Sequence, residues 1–278
     1  MQEESSRRNI KLVIAYNGAA YHGWQRQIAR GDSAWRVEGV DTIQGRIEDA
    51  AARVVGHPVI VQGAGRTDAG VHAAGQVANF HTTNLAIPMV GLRRAVNSRL
   101  PGDIAVLSAE EVSGDFHASR SAVGKTYRYR IHVAPTRPVM LHKQVYHYWR
   151  PLDVRRMSQA AARLTGTHDF RGFATSAEVR EDTVRTIFRC EVGEDGDETD
   201  VSIQGSGFLY HMVRNIVGTL MEIGRGRWEP EQIDRILASR DRRDAGPTAP
   251  PDGLTLLCVH YDRQQAPGDR QQAIGNRQ

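Results

Sequence analysis

Cysteine is nearly absent: Cys190 and Cys258 stand alone in 278 residues, too few and too isolated for a disulfide framework or a paired-cysteine metal site. That scarcity points to a reducing compartment. No apolar run approaches the length of a membrane span, and the opening residues, MQEESSRRN, lack the hydrophobic core of a signal peptide. A cytoplasmic protein without membrane contact is expected. Lysine is scarce too. The 36 basic residues include only Lys11, Lys125 and Lys143, so the other 33 are arginines. Arginine suits bidentate phosphate contacts and base stacking, but a GC-rich genome explains the bias equally well. With a formal net charge of only +4, charge leaves the partner open. The length allows a substantial core, in one large domain or two modest ones.

The stretch that looks built for chemistry is Gly63 to Phe80, GAGRTDAGVHAAGQVANF. Apolar, β-branched runs bracket it, Pro58 to Val61 before and Gln76 to Phe80 after, which predicts strand, loop, strand. Glycines 63, 65, 70 and 75 give backbone freedom and close approach, and Arg66, Thr67, Asp68 and His72 supply polar groups. Two phosphate-binding motifs are excluded. A dinucleotide fingerprint needs glycine where Asp68 stands, and a P-loop needs lysine and serine or threonine where Val71 and His72 stand. One carboxylate, Asp68, remains at the centre.

Along the rest of the chain, a polar arm (1–9, expected to be disordered) precedes a first strand from Ile10 to Tyr16. The segment Ile28 to Val40 reads as a solvated surface loop. Asp41 and Gln44 form an expected capping box for a helix whose inner face carries Ile43, Ile47, Ala50, Ala51 and Val54, stopped by Gly56. A helix over Pro88 to Leu100 and a strand over Asp103 to Leu107 complete β-α-β-β-α-β. The second half repeats the order: strand Lys125 to Val133, helix Asp153 to Thr165, a hairpin from Val184 to Gln204, a helix Phe208 to Ile223 and a closing strand Leu254 to Tyr261. Pro230 to Ser239 reads as an added helix, and Arg240 to Asp252 as a charged, proline-rich surface loop. An α+β fold of two ferredoxin-like halves is predicted, 10–115 and 116–263, followed by a disordered tail, 264–278. Strand alternation places Tyr127 and Tyr129 on one face of their strand, suited to base stacking, with Arg128 and Arg130 on the other. A half-buried strand with exposed arginines fits that pattern equally well. Within Phe208 to Ile223, His211, Arg214 and Gly218 share a stripe that a partner could approach. His117, His142, His147 and His168 lack any metal-ligand spacing with cysteine or glutamate, so no metal is assigned.

The string GRTDAGVHAAGQV closely resembles the signature of the tRNA pseudouridine synthase A family. Further similar segments are Tyr21 to Gln25, Phe116 to Tyr129, Thr165 to Phe170, FLYHMVRNIVG and Ala249 to Leu254. The resemblance therefore runs from about Lys11 to Tyr261 and leaves out the Ile28 to Val40 insertion and the tail. It implies a pseudouridine synthase fold with a catalytic cleft between the two halves, and Asp68 as the catalytic residue. Tyr127 would pack on the target uracil, Arg214 would pair with Asp68, and Arg66 would fill the gap left by a flipped base or hold its phosphate. It also implies action on the anticodon stem-loop of tRNA, by a homodimer and without a cofactor.

The implied reaction breaks the N1 to C1′ bond of uridine, turns the uracil and joins C5 to C1′. One carboxylate suits it, either stabilising positive charge at C1′ or attacking as a nucleophile, and later accepting the C5 proton. Unstacking the base costs a few kcal/mol, which stacking on an aromatic ring can offset. Two other classes stay in view. A non-catalytic RNA-binding module would leave Arg66-Thr67-Asp68 unexplained, and an RNA glycosylase using Asp68 with Glu222 would release free base.

Overall fold

The computed structural model describes residues 7–26, 40–175, 178 and 180–262. The expected surface loop, apart from Val40, and the expected tail lie outside the described residues. The fold is mixed α+β, and the chain divides into two compact units. Unit 1 comprises the chain up to Asp68, Ala73–Val123 and the stretch from Val259 onward; unit 2 comprises Ala69–His72 and Gly124–Cys258.

Unit 1 carries β1 (Arg8–Tyr16), α1 (Ile43–Val55), β2 (Gln62–Gly63), β3 (His72–Thr82, its first residue belonging to unit 2), α2 (Met89–Asn97) and β4 (Ile104–Val112). Its sheet runs β4-β1-β3, with β2 against β3, and every pairing is antiparallel. The alternation of RNIKLVIAY puts Ile10, Leu12 and Ile14 wholly inside. Each such side chain stabilises the fold by about 1.5–3 kcal/mol relative to exposure. β1 starts at Arg8, earlier than expected, because Asn9 is a buried polar anchor and not part of an arm. Its Nδ2 donates to the carbonyls of Ser113 (2.9 Å) and Phe116 (2.8 Å), and its Oδ1 accepts from Asn79 Nδ2 (2.9 Å).

The cap of α1 also differs from the expectation. Thr42, not Asp41, is the N-cap and accepts from Gly45 N–H; Asp41 instead pairs with Arg46. Ile43, Ile47, Ala50, Ala51 and Val55 face the core, Val54 is only half-buried, and Gly56 ends the helix at φ 86°. A second cluster, of Ala64, Val77, Val112, Phe116 and Ala118, is covered by Val259 and Tyr261 from the far end of the chain. The Tyr261 hydroxyl donates to Ala118 O at 2.7 Å.

Unit 2 is built from β5 (Ala122–Val133), β6 (Tyr146–Tyr148), α3 (Val154–Ala162), β7 (Gly166–Asp169), β8 (Val184–Asp195), β9 (Glu198–Gly205), α4 (Met212–Gly224), α5 (Gln232–Ser239) and β10 (Leu254–Tyr261). The first two residues of β5 and the last three of β10 belong to unit 1. The sheet order is β10-β5-β9-β8-β7, with the short β6 parallel to β5. α3 and α4 pack closely: a Cβ added at Gly224 would lie 2.7 Å from Met157 Sδ. The start of this unit at Gly124 differs from the expected boundary at 116, since Phe116 and Ala118 belong to the core of unit 1.

Two expectations in unit 2 are corrected. α4 begins at Met212 and not at Phe208, because His211 sits at φ 60°, a left-handed conformation that cannot continue a helix. The stretch 240–252 is not a plain surface loop: Ala245, Gly246 and Ala249 are buried. Gly218 shows why. A Cβ there would come 1.7 Å from Pro247 O, so the 245–249 segment lies directly on α4 and covers Gly218, while His211 and Arg214 of the same predicted stripe stay half-buried.

Candidate active site

The Asp68 loop is held from both directions along the chain. On the unit 1 side, α1 secures its approach. The buried Glu48 Oε1 accepts from Val61 N–H (3.0 Å), and Gln44 Nε2 donates to Val61 O (3.0 Å). The Trp24 indole lies so close to Gly63 that a Cβ there would be 2.5 Å from it; glycine is required for this close approach. Ala64 N–H donates to Val77 O (2.7 Å) and Gln76 Nε2 donates to Gly65 O (2.8 Å). Thr67 is buried, its carbonyl accepting from Trp24 N–H (3.0 Å) and its hydroxyl bonded to the Tyr16 hydroxyl (2.8 Å). Burial pushes the Tyr16 phenol up to about 12, so it stays a neutral hydrogen-bonding partner. Between these anchors Arg66 is exposed and Asp68 half-buried.

The residues that follow Asp68 are fixed within unit 2. Gly70 adopts φ 82°, and a Cβ there would meet Pro251 Cγ at 3.0 Å. The buried His72 donates through Nε2 to Asp252 O at 3.1 Å. Its imidazole pKa is lowered by burial, against the opposing pull of backbone hydrogen bonds at Asp252 and Lys143.

The segment 249–253 gathers further residues of unit 2. Arg214 Nε donates to Ala249 O (2.7 Å), and Ala249 N–H donates to Arg214 O (3.1 Å). The Tyr129 hydroxyl donates to Pro250 O (2.8 Å). Asn215 Oδ1 accepts from Thr248 Oγ1 (2.7 Å) and Arg242 Nη2 (3.0 Å). This segment was legible only as a short similar stretch without a role; here it joins α4, β5 and the continuation of the Asp68 loop.

On β5 the two tyrosines separate in kind. Tyr129 is fully buried against Gly253, where a Cβ would lie 2.7 Å from its ring, so the half-buried-strand reading holds for it. Tyr127 is 7% exposed and meets Phe208 edge-on, ring centroids 5.1 Å apart. Phe208, which sequence reading placed inside a helix, is therefore a loop aromatic beside Tyr127. Arg128 and Arg130 are half-buried opposite Ser202 and Asp200 of β9.

Glu222 does not suit the role of a glycosylase acid. It is 4% exposed in α4, and its two carboxylate oxygens accept from Arg225 Nη1 (3.0 Å) and Arg227 Nη1 (3.1 Å), so the group is engaged at the end of its own helix. Ring nitrogens of His147 and His168 bond to the carbonyls of Ala134 (2.8 Å) and Thr165 (3.1 Å).

The sequence model of a family described as tRNA pseudouridine synthase matches residues 12–119 and 160–262. A protein of Acinetobacter baumannii named tRNA pseudouridine synthase A is 42% identical over 251 residues, 90% of this chain and 91% of that one. One of the same name from Acetivibrio thermocellus is 43% identical over 254 residues, covering 91% and 100%. Among solved structures, a chain of a Cbf5-Nop10-Gar1 complex matches with 10% identity over 88% of this chain and 57% of its own, at a TM-score of 0.32, too slight a likeness to bear on the fold. The family match includes the Asp68 loop in its first part and α4 with the 249–253 segment in its second, while the whole of β5, Tyr127 included, lies between the two matched stretches. With two long matched stretches and relatives above 40% identity along nearly their whole length, the chain belongs to the tRNA pseudouridine synthase family.

Proposed function

We propose that this protein isomerises uridine to pseudouridine in the anticodon stem-loop of tRNA, with Asp68 as the catalytic carboxylate. The observation that carries this reading is the fixation of the Asp68 loop. The backbone is tied at Ala64, Gly65 and Thr67 before the carboxylate and at Gly70 and His72 after it. Preorganisation of that kind is what a group meeting charge at C1′ requires. Tyr127 supplies the ring against which the uracil packs, and Phe208 lies edge-on to that ring. Arg214, whose Nε donates to Ala249 O, takes the role of partner to Asp68 that the resemblance implies. Exposed Arg66 takes the place of the flipped base or holds its phosphate. The isomerisation needs no redox change and no group donor, so no cofactor enters the proposal.

Each unit supports the ferredoxin-like reading in its strand order. In unit 1 the order β4-β1-β3-β2, and in unit 2 the order β10-β5-β9-β8, both correspond to fourth-first-third-second around a β-α-β-β-α-β chain. A homodimer acting in the cytoplasm completes the proposal, carried over from the resemblance. No helix among the described residues is long and apolar enough to cross a membrane.

The deciding experiment is incubation with unmodified tRNA followed by nucleoside analysis. Pseudouridine at the expense of uridine is expected. Intact tRNA bound without change would favour a binding module, and released uracil would favour a glycosylase.

A further inference from the structure

Lys125 is one of three lysines in the chain and stands two residues before Tyr127 on β5, hence on the same side of the strand and about 7 Å along it. Its register partner on β9 is Gly205, which has no side chain. A Cβ at Gly205 would lie 3.3 Å from Phe208 Cζ, so the ring beside Tyr127 also reaches this spot. Lys125 is half-buried, and among the described residues no carboxylate pairs with it. The charge that acts on it is another cation, Arg180, and burial followed by that repulsion pushes its ammonium down to about 8. Arg180 in turn donates to Phe208 O (3.4 Å) and to both carboxylate oxygens of Glu178 (2.8 Å each). Glu178 also accepts from Tyr210 N–H (2.8 Å). The carboxylate is thus spent on fixing Arg180 and the Phe208–Tyr210 backbone, leaving Lys125 uncompensated. On the Lys125 side, Val123 and Tyr127 of its own strand and Ile203 of β9 are uncharged, and the next charge toward Gly207 is again a cation, Arg185, whose Nε would lie 3.6 Å from a Cβ at Gly207.

A half-buried ammonium without a carboxylate partner is a costly arrangement in the free protein. An anion arriving beside it removes the cost. We propose that Lys125, supported by Arg180, binds a backbone phosphate of the RNA next to the nucleotide carried on Tyr127. This rests on the reading of Tyr127 given above. The aromatic pair and the cation pair then form one nucleotide seat, ring for base and ammonium for phosphate, within unit 2.

The test is binding of an unmodified tRNA transcript, followed by fluorescence anisotropy across a salt series and from pH 7 to pH 9.5. Lys125→Met is expected to weaken binding about tenfold and to lower the steepness of the salt dependence by about one phosphate contact. The parent should hold its affinity below about pH 8 and lose it above, as the free ammonium deprotonates. Lys125→Arg should restore affinity and stay flat across this range, because guanidinium does not titrate there. The proposal is overturned if Lys125→Met binds within twofold of the parent with the same salt slope. It is also overturned if Lys125→Arg keeps the parent's decline above pH 8, an arm that decides the matter even if the methionine variant fails to fold. Failure of the catalytic reading would show separately, as absence of pseudouridine in tRNA treated with the parent, and leaves this binding measurement standing.

Discussion

Arg214 and Ala249 bond to each other twice, side chain to carbonyl at 2.7 Å and amide to carbonyl at 3.1 Å. The first bond fixes the plane of the guanidinium, and the second ties the first turn of α4 to the 249–253 segment. Lysine has a methylene where arginine has Nε and cannot reproduce the first bond. Arg214→Lys is therefore expected to lower the single-turnover rate by about a hundredfold through misplacement of its charge. The same substitution should cost about 1.5–3 kcal/mol of stability through the lost charge-assisted bond. Rapid-quench assays with saturating enzyme and denaturant melts check both; a lysine variant within threefold of the parent rate would remove Arg214 from the proposed site.

Asp68→Asn should abolish pseudouridine formation while leaving the protein folded and able to bind tRNA. The amide keeps the shape of the carboxylate but loses the charge required at C1′ and the base required at C5. A charge-stabilising catalytic group contributes several kcal/mol, so the rate should fall by about a thousandfold or more. RNA affinity rests on phosphate and stacking contacts and should survive. Nucleoside analysis of treated tRNA, with the variant checked by mass spectrometry for reversion to aspartate, provides the measurement; turnover within tenfold of the parent would defeat the assignment.

Gly218→Ala places a methyl group where Pro247 O now sits, 1.7 Å from the new Cβ. Neither a backbone carbonyl nor a helix can yield by that much locally. The expected result is loss of about 3 kcal/mol or more, together with the activity that depends on the Arg214 to Ala249 pairing. Thermal melts of the parent and variant test this, and an unchanged midpoint would contradict the close packing of 245–249 on α4.

His72 gives stability a pH dependence of definite sign. In the unfolded chain its imidazole titrates near 6.5; in the fold burial lowers that value. Below the unfolded pKa the unfolded chain takes up a proton that the fold resists, so stability is full above about pH 6.5 and declines as pH falls toward the lowered folded pKa. Melting midpoints between pH 7.5 and 5.5 should fall for the parent and fall less for His72→Gln, whose amide can still donate to Asp252 O. A residual slope is expected from His117, lowered by burial and by Arg120. Equal slopes in both proteins would exclude His72 as a source.

The parts of the fold that sequence made legible are those with a strong period. Ile10, Leu12 and Ile14 announce β1, Ile43 to Val55 announce α1, and the apolar stripe of α4 is plain even though its first turn was misplaced. The Asp68 loop stands out for a different reason, since glycine and polar residues cluster there, and the role of Asp68 is what the family resemblance implies. What stayed hidden depends on contacts distant in the chain. Thr42 and Asp41 are equally good caps on paper, and Asp41 is drawn away by Arg46. Asn9 and Asn79 look like surface residues until each satisfies the other inside unit 1. The 245–253 segment is made of alanine, glycine and proline, small residues without periodicity, and its packing becomes visible only through the glycine it covers.

Neither unit is a continuous length of chain, and this orders events during synthesis. Residues through Val123 leave the ribosome first, yet the cluster around Phe116 is roofed by Val259 and Tyr261, whose hydroxyl reaches Ala118 O. A nascent chain that has made β1 through β4 still exposes this apolar ground, with the strand that covers it not yet translated. Domains that are contiguous can close as they emerge; this one must wait for its own ending, so a ribosome stalled before codon 259 would hold an N-terminal unit that is built but unsealed.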